Sequence, residues 1–145
     1  MATHSEKISN LILSYAEMID AGDFAGLSAL FTRATLRTEG FDDVRRGAAE
    51  VRALYEGMVK LYDGKPSTQH VTTNIAIEVD DDALTATARS AYTVLQATAE
   101  LPLHVVIAGR YADTFSRDAS GWYFTERVIS LGLMGNLSAH LKMEF

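Results

Sequence analysis

The feature that most constrains the fold is a change in the spacing of apolar residues around Pro66. Before it, apolar side chains recur every three or four positions, which is the period of an amphipathic helix. After it they alternate with polar ones, which is the period of a strand with one buried face. Proline cannot continue a helix and disfavours the helical conformation for the residue before it, so residues 63–67 divide the two parts. Helices followed by strands predict an α+β fold.

The first part of the chain has the pattern of three helices. Thr3 and Glu6 have the spacing of a capping box, and the helix they begin should end near Gly22, because glycine accepts the left-handed conformation. Asp23 can cap a short second helix, so the first two helices form a hairpin. A third helix begins at Gly47, and its apolar face comprises Val51, Leu54, Tyr55, Met58, Leu61 and Tyr62.

The other segments, two before the third helix and four after it, have the pattern of strands in a sheet. Short strands are expected ahead of the third helix, at residues 34–39 and 44–46. Longer ones follow it, joined by short turns, at residues 70–79, 84–97, 103–115 and 122–130. We expect these to form a curved antiparallel sheet with helices on one face. Residues 131–137 are apolar but interrupted by glycines, and we expect them over a cavity mouth or at a subunit interface.

Composition excludes several classes of function. A length of 145 residues, of which 48% are apolar, fits one domain, 1–145. The net charge of -6 and the lack of any run of Lys or Arg argue against a nucleic-acid partner and, mildly, against anionic membranes. The lack of cysteine excludes a disulfide and a thiolate nucleophile. No signal peptide and no apolar run near the roughly 18 residues of a membrane span are visible, so a cytoplasmic protein is expected.

His70 and Asp20 are the candidate catalytic pair. His70 stands among hydrogen-bonding residues in the strand-like run Thr68-Gln69-His70-Val71-Thr72-Thr73-Asn74. A carboxylate on one imidazole nitrogen fixes the tautomer and leaves the other nitrogen free to act as a base. Asp20 falls at the predicted C-terminus of the first helix, which is that helix's negative end, so a compensating partner is expected. The plainer alternatives are a half-buried strand histidine and a solvated carboxylate.

Three segments resemble a known superfamily. They are residues 15–24 (YAEMIDAGDF), residues 70–74 (HVTTN) and residues 121–127 (GWYFTER). Their order and spacing resemble the SnoaL-like branch of the NTF2-like superfamily, over nearly the whole chain. This resemblance implies the NTF2-like cone, a cystatin-like α+β roll in which three N-terminal helices pack on a curved antiparallel sheet.

The resemblance also implies a chemistry. The scytalone dehydratase, bile-acid dehydratase and hexachlorocyclohexane dehydrochlorinase of this branch use an Asp-His dyad as a base, and their residues match Asp20 and His70. Tyr15 matches the tyrosine of the bile-acid enzyme, and Arg127 matches an arginine that is functional in some members. The implied function is a lyase without metal or cofactor that acts on a small cyclic, mostly apolar substrate. The substrate-contacting residues are then expected to be Arg127, Tyr92, Asn74 and Tyr55.

The sequence departs from these relatives in the second proton-handling group. Scytalone dehydratase carries a second histidine on the next strand, and the bile-acid enzyme carries a further aspartate there, but residues 92–94 contain neither. Tyr92, Tyr15 or His104 can be considered for the role of assisting a leaving hydroxyl, although His104 has the pattern of a structural residue. His4 and His140, near the termini, look incidental.

Other functions and roles stay open at this point. Tyr15 also matches the oxyanion tyrosine of ketosteroid isomerase, whose base position falls at Thr38 with Glu39 beside it, so an isomerase is one alternative. A ligand-binding or scaffold module of the same fold is another. Arg127 can equally form an ion pair at an interface or on the surface. A homo-oligomer, trimer or dimer, is expected because an open sheet leaves an apolar face to cover.

Overall fold

The computed structural model describes residues 1–143, which form three helices and six strands. The helices are α1 (His4–Ala21), α2 (Phe24–Ala29) and α3 (Gly47–Met58). The strands are β1 (Thr35–Thr38), β2 (Val44–Arg46), β3 (Thr68–Asp80), β4 (Thr85–Gln96), β5 (His104–Asp118) and β6 (Gly121–Met134). The predicted α+β fold is confirmed.

The strands form a curved, unclosed sheet in the order β2-β1-β6-β5-β4-β3. The four long strands pair antiparallel in chain order, as predicted. The two short strands pair antiparallel with each other, and β1 joins the sheet by pairing parallel with β6. The first strand of the chain therefore lies beside the last, far from β3.

An apolar core lies between the helices and the inner face of the sheet. Helix α1 packs against β3, and α2 packs against α3. Among residues 1–143, no helix is both long and apolar enough to cross a membrane. The completely buried apolar side chains of this core include Ile8, Ile12, Leu27, Phe31, Val51, Val106 and Phe124.

Helix α1 begins and ends where its sequence signals predict. The Thr3 side chain accepts a hydrogen bond from the Glu6 N–H, and the Glu6 carboxylate accepts one from the Thr3 N–H, which completes the capping box. At the other end Gly22 is left-handed, with φ 73°, and the Asp23 N–H donates to the Met18 carbonyl over 2.9 Å. Asp23 then caps α2 with its side chain.

Helix α3 is shorter than its apolar spacing predicts. It ends at Met58, and Val59 is extended, with φ -93° and ψ 129°. Val59 is buried and pairs in an isolated bridge with Leu141, near the C-terminus. Leu61 and Tyr62, which the spacing predicts for the buried face of the helix, are 45% and 38% exposed. Pairing with a segment about 80 residues away, which the local sequence does not reveal, thus overrides the helical pattern.

A β-bulge in β3 decides which side chains face inward. Between Thr73 and Ala76, β3 carries two residues opposite a single residue of β4. One of the two, Asn74, has φ 55°, a left-handed conformation that asparagine tolerates better than most residues. An unbroken alternation, as the sequence predicts, would place His70 on the face opposite residues 75, 77 and 79. With the bulge, His70 lines the interior cavity, and the core packs against Ile75, Ile77 and Val79.

The glycine-broken segment after residue 130 is partly strand, since β6 continues to Met134. A Cβ atom on Gly132 would lie 2.8 Å from the Ala108 carbonyl oxygen, so glycine at this position allows β6 to approach β5 closely. Leu131 and Leu137, which precede and follow Gly132 in the chain, both line the cavity. The segment therefore contributes one wall of that cavity.

Replacing Gly22 with alanine should destabilise the fold. A Cβ atom there would clash with the Gly64 carbonyl oxygen, and the left-handed backbone costs a non-glycine residue about 1–2 kcal/mol. We expect the free energy of unfolding, measured by urea denaturation, to fall by at least about 2 kcal/mol. The matched control is Gly57→Ala, on the exposed side of α3 with no atom within 4 Å, which should be neutral or stabilising. Equal losses in both variants would contradict this account of the helix end.

Candidate functional site

A cavity of about 370 Å³ extends from the surface into the interior of the molecule. Its size falls within the range typical of small-molecule sites, roughly 300–1,000 Å³. Its walls come from α1, α3, the inner face of the sheet and the segment after β6. Most of the lining is apolar, and it includes Ile19, Leu54, Met58, Val94, Ile107, Ile129, Leu131 and Leu137.

Asp20 and His70 are joined by a hydrogen bond at one side of this cavity. Asp20 Oδ1 lies 2.7 Å from His70 Nδ1, and it also accepts from the Thr68 hydroxyl over 2.8 Å. Asp20 Oδ2 accepts from the His70 backbone N–H over 2.7 Å. The His70 side chain is only 6% exposed, and the residue lines the cavity. The carboxylate thus engages one ring nitrogen and leaves Nε2 as the nitrogen that a ligand can reach.

The position of Asp20 explains why it needs these partners. It lies in the last turn of α1, where the helix dipole is negative and a carboxylate gains nothing locally. Three donors from the start of β3 offset that cost, and hydrogen bonds to a charged acceptor are among the stronger ones. Asp20 and Tyr15 do not share a face of α1, because five residues turn about 140° beyond one revolution. Tyr15 lines the cavity, whereas Asp20 reaches it through His70.

Tyr15 and Tyr55 form a hydrogen-bonded pair in the cavity lining. Both are nearly completely buried, and the hydrogen bond between their hydroxyls is short. Burial raises the pKa of Tyr15, and burial together with the neighbouring Tyr15 raises the pKa of Tyr55. Both therefore stay protonated at neutral pH. Only one of the two protons is needed between them, so the other remains for a ligand.

Tyr92 and Tyr111 are two further tyrosines of the cavity lining. Their rings stack with centroids 4.5 Å apart, and both residues line the cavity. The Tyr92 hydroxyl donates to the Ser130 carbonyl over 3.0 Å, so its proton is already used. Sequence reasoning did not select Tyr111, because its alternation in β5 indicates only a buried position. Tyr92 thus contacts the cavity through its ring.

Asn74 does not line the cavity, which corrects its expected role in substrate binding. It is exposed, and its contribution is the left-handed backbone of the β3 bulge. That backbone role is nevertheless linked to the site, because the bulge sets the face on which His70 lies.

Arg127 does not line the cavity either. A bulge at Thr125 shifts the alternation of β6, so that Arg127 lies on the same side as Phe124. Its guanidinium donates to Asp113 from Nε over 2.8 Å and from Nη2 over 3.0 Å, and both side chains are completely buried. Burial alone lowers the pKa of Arg127, but the charge and hydrogen bonds of Asp113 more than compensate and raise it.

The Arg127 guanidinium supports the tyrosines from behind. It lies 3.7 Å from the centre of the Tyr111 ring and 4.4 Å from that of Tyr15, both within the range of cation–π attraction. Its expected contact with substrate is therefore corrected to a buried ion pair beneath two cavity residues. The sequence could not separate these roles, because the bulge and the partner Asp113 on β5 are both non-local.

His140 is a further cavity residue that the sequence patterns did not predict. It is buried, with 6% of its surface exposed, and it lines the cavity. Its ring centre lies 6.3 Å from that of His70. The expectation that His140 is incidental is wrong, and its nearness to the C-terminus, which suggested that role, carried no information about burial.

Comparison with known proteins identifies the family. A family model described as a SnoaL-like domain matches residues 1–128. The chain belongs to the SnoaL-like domain family. This confirms the resemblance noted from residues 15–24, 70–74 and 121–127. No curated protein matches the sequence.

Solved structures share the SnoaL-like architecture. An NTF2-like protein with a cystatin-like fold from Novosphingobium aromaticivorans is 26% identical, with a TM-score of 0.75 over 94% of this chain and 86% of that one. A protein of unknown function from Mycobacterium tuberculosis is 25% identical, with a TM-score of 0.72 over 87% and 70%. A candidate scytalone dehydratase from Novosphingobium aromaticivorans is 21% identical, with a TM-score of 0.70 over 89% and 84%, and at that identity it shows the fold alone.

The buried ion pair makes a stability prediction for this SnoaL-like domain. Asp113→Asn leaves the Arg127 charge buried without a counter-ion, which should lower the free energy of unfolding by about 3–5 kcal/mol in urea denaturation. Asp118→Asn is the matched control, because Asp118 pairs with Arg33 over 2.6 Å on the surface. An exposed pair contributes at most about 1 kcal/mol. Similar losses in the two variants would contradict a structural role for the Asp113–Arg127 pair.

Proposed function

We propose that this protein is a lyase that needs no cofactor and eliminates water, or another leaving group, from a small cyclic and mostly apolar substrate. The observation that carries the proposal is the 2.7 Å hydrogen bond between Asp20 and His70 at the wall of a largely apolar cavity. In this proposal the Asp20-His70 dyad is the base.

The dyad geometry suits the removal of a proton from carbon. With Nδ1–H donating to the Asp20 carboxylate, the lone pair of His70 Nε2 is available to a substrate in the cavity. The imidazolium that forms is stabilised by the adjacent carboxylate. As the C–H electron pair forms the new double bond and the C–O bond breaks, the departing oxygen takes the proton from His70. Water leaves, and His70 returns to its neutral form.

The tyrosine pair suits a substrate with a carbonyl group. Removal of a proton next to a carbonyl places negative charge on the carbonyl oxygen, and a preorganised donor at that oxygen stabilises the transition state. The spare proton of the Tyr15–Tyr55 pair is such a donor. The charged residues of the lining, Asp43 and Arg45, are paired with each other over 2.8 Å, and the rest of the lining is mostly apolar. Such a lining favours a ring system over a charged metabolite.

Neighbours of the same fold are compatible with this substrate class. Their names include a candidate scytalone dehydratase and a candidate aromatic ring hydroxylase, both 21% identical to this chain. Those names belong to the neighbours, and the proposal for this chain depends on the dyad and the cavity.

The alternatives have less support in the cavity. An isomerase of the ketosteroid type needs a carboxylate near position 38, but Thr38 lines the cavity and Glu39 is exposed. The carboxylate of Asp43 also lines the cavity, but it is paired with Arg45 over 2.8 Å. A non-catalytic binding module would favour a cavity without polar groups, or a long separation between Asp20 and His70. Neither is found, since the Asp20 and His70 side chains are hydrogen bonded and the cavity lining includes two histidines and a hydrogen-bonded pair of tyrosines.

The proposal predicts elimination from a bicyclic β-hydroxy ketone. The probe 3-hydroxy-1-tetralone loses water to give 1-naphthol, which absorbance reports directly. We expect wild-type protein to catalyse this reaction, and His70→Asn to lower kcat/KM by roughly 10²–10⁴-fold, the usual contribution of general-base catalysis. Asp20→Asn should also lower it, because the tautomer of His70 is no longer fixed.

Glu39→Gln is the matched control, since this exposed carboxylate plays no part in the proposed reaction. Its rate should equal that of wild type. Loss of activity in Glu39→Gln with full activity in His70→Asn would favour the isomerase alternative. Failure of the wild type to catalyse the reaction would contradict the proposed reaction for this substrate class. Circular dichroism of each variant excludes unfolding as the cause.

A further inference from the structure

The proposed elimination needs a group that assists the leaving oxygen. The dehydratases that this sequence resembles carry a second proton-handling residue at the position of residues 92–94, where this sequence has none. Tyr92 donates its proton to Ser130, and His104 directs Nδ1 to the Pro102 carbonyl and does not line the cavity. Tyr15, the third residue considered for this role, is hydrogen bonded to Tyr55, and the proposed function assigns the spare proton of that pair to the substrate carbonyl. The group that assists the leaving oxygen must therefore be another residue of the cavity.

His140 lines the cavity close to His70. It lies in the segment after β6, and its ring centre is 6.3 Å from that of His70, with the two rings inclined at 64°. Elimination breaks bonds at two adjacent carbon atoms. Two imidazoles at this separation can contact groups on adjacent atoms of one bound ring.

The backbone around His140 is fixed by hydrogen bonds that include one local and two long-range ones. The Lys60 N–H donates to the His140 carbonyl over 2.8 Å, and the His140 N–H donates to the Leu137 carbonyl over 3.0 Å. The buried amide of Gln96 donates to the Ala139 carbonyl over 3.0 Å. These contacts tie the segment to β4 and to the residues after α3, so the ring is held in place before a ligand binds.

The state of the His140 ring suits a hydrogen-bond donor. Burial, and then the neighbouring His70, lower the pKa of His140 to about 4, with Asp20 opposing them in part, so the ring is neutral at neutral pH. Nδ1 is buried and has no hydrogen-bond partner among the described residues. An orphaned buried N–H is rarer than an orphaned acceptor, which favours the tautomer that carries its proton on Nε2.

We propose that His140 is a second catalytic residue, whose Nε2–H donates a hydrogen bond to the oxygen that leaves as water. This inference rests on the proposed lyase function. The proton taken from carbon by His70 passes to the leaving oxygen as the C–O bond breaks, and His140 keeps its own proton throughout. Its contribution is to stabilise the negative charge that develops on that oxygen.

The matched family does not supply this residue. The SnoaL-like match covers residues 1–128, so His140 lies beyond it. The structural support for this role therefore comes from the burial of His140, its 6.3 Å separation from His70 and the anchored segment, and not from the family match. It also assigns a chemical purpose to the segment that forms one wall of the cavity.

Two probes separate proton removal from departure of the oxygen. With 3-hydroxy-1-tetralone both steps are needed, whereas 1-tetralone has no leaving group and reports proton removal through deuterium uptake at its C2 position, measured by NMR in D2O. His140→Phe keeps a ring of similar shape but removes the donor. We expect elimination to fall on the order of 10²-fold, as for loss of one preorganised donor, while deuterium uptake falls less than about threefold.

His140→Gln provides the conservative variant, because its amide N–H can occupy a position near that of Nε2–H. Elimination in this variant should lie between wild type and His140→Phe. Equal elimination in wild type and His140→Phe would overturn the inference, and so would a parallel loss of elimination and deuterium uptake in both variants. If His140→Phe does not fold, the split between the two probes in His140→Gln decides. Wild-type protein that gives neither reaction, or His70→Asn that retains both, contradicts the lyase proposal instead.

Discussion

The Asp20 carboxylate is the constraint on which the site depends. It sits at the negative end of α1, where a charge of the same sign is unfavourable, and it is compensated by three donors from Thr68 and His70 at the start of β3. The same three hydrogen bonds fix the end of the first helix to the first long strand, 50 residues away. They also orient the His70 ring toward the cavity. The hydrogen bonds that compensate the Asp20 charge at the end of α1 thus also prepare His70 as a base.

Local signals in the sequence predicted the elements well, and the reasons are physical. The Thr3–Glu6 capping box, the left-handed Gly22 and the Asp23 cap each depend on a few neighbouring residues, so they can be read without tertiary information. The bulges in β3 and β6 could not be predicted from the sequence, because each depends on the pairing with the neighbouring strand. The bulge at Asn74 reverses the alternation that places His70, and the bulge at Thr125 decides the side on which Arg127 lies.

Site residues that lie in short sequence motifs were predicted, whereas those whose position depends on long-range contacts were not. Asp20, His70 and Tyr15 belong to segments shared with the family, and the structure brings the first two into hydrogen-bond contact. Arg127 belongs to such a segment too, but its partner on β5 removes it from the cavity. His140 belongs to no motif, and the C-terminal segment is brought over the cavity by long-range contacts such as the pairing of Val59 with Leu141. Long-range pairing therefore decides which of these side chains line the cavity, which local sequence patterns cannot predict.

The protonation state of the His70 ring tests the central claim most directly. Long-range ¹H–¹⁵N NMR of protein labelled with ¹⁵N at histidine distinguishes the two neutral tautomers. The account predicts that His70 carries its proton on Nδ1, hydrogen bonded to Asp20, with an unprotonated Nε2, and that Asp20→Asn abolishes this preference. A wild-type ring with its proton on Nε2, or one with both tautomers in exchange, would contradict the claim that Asp20 prepares His70 as a base.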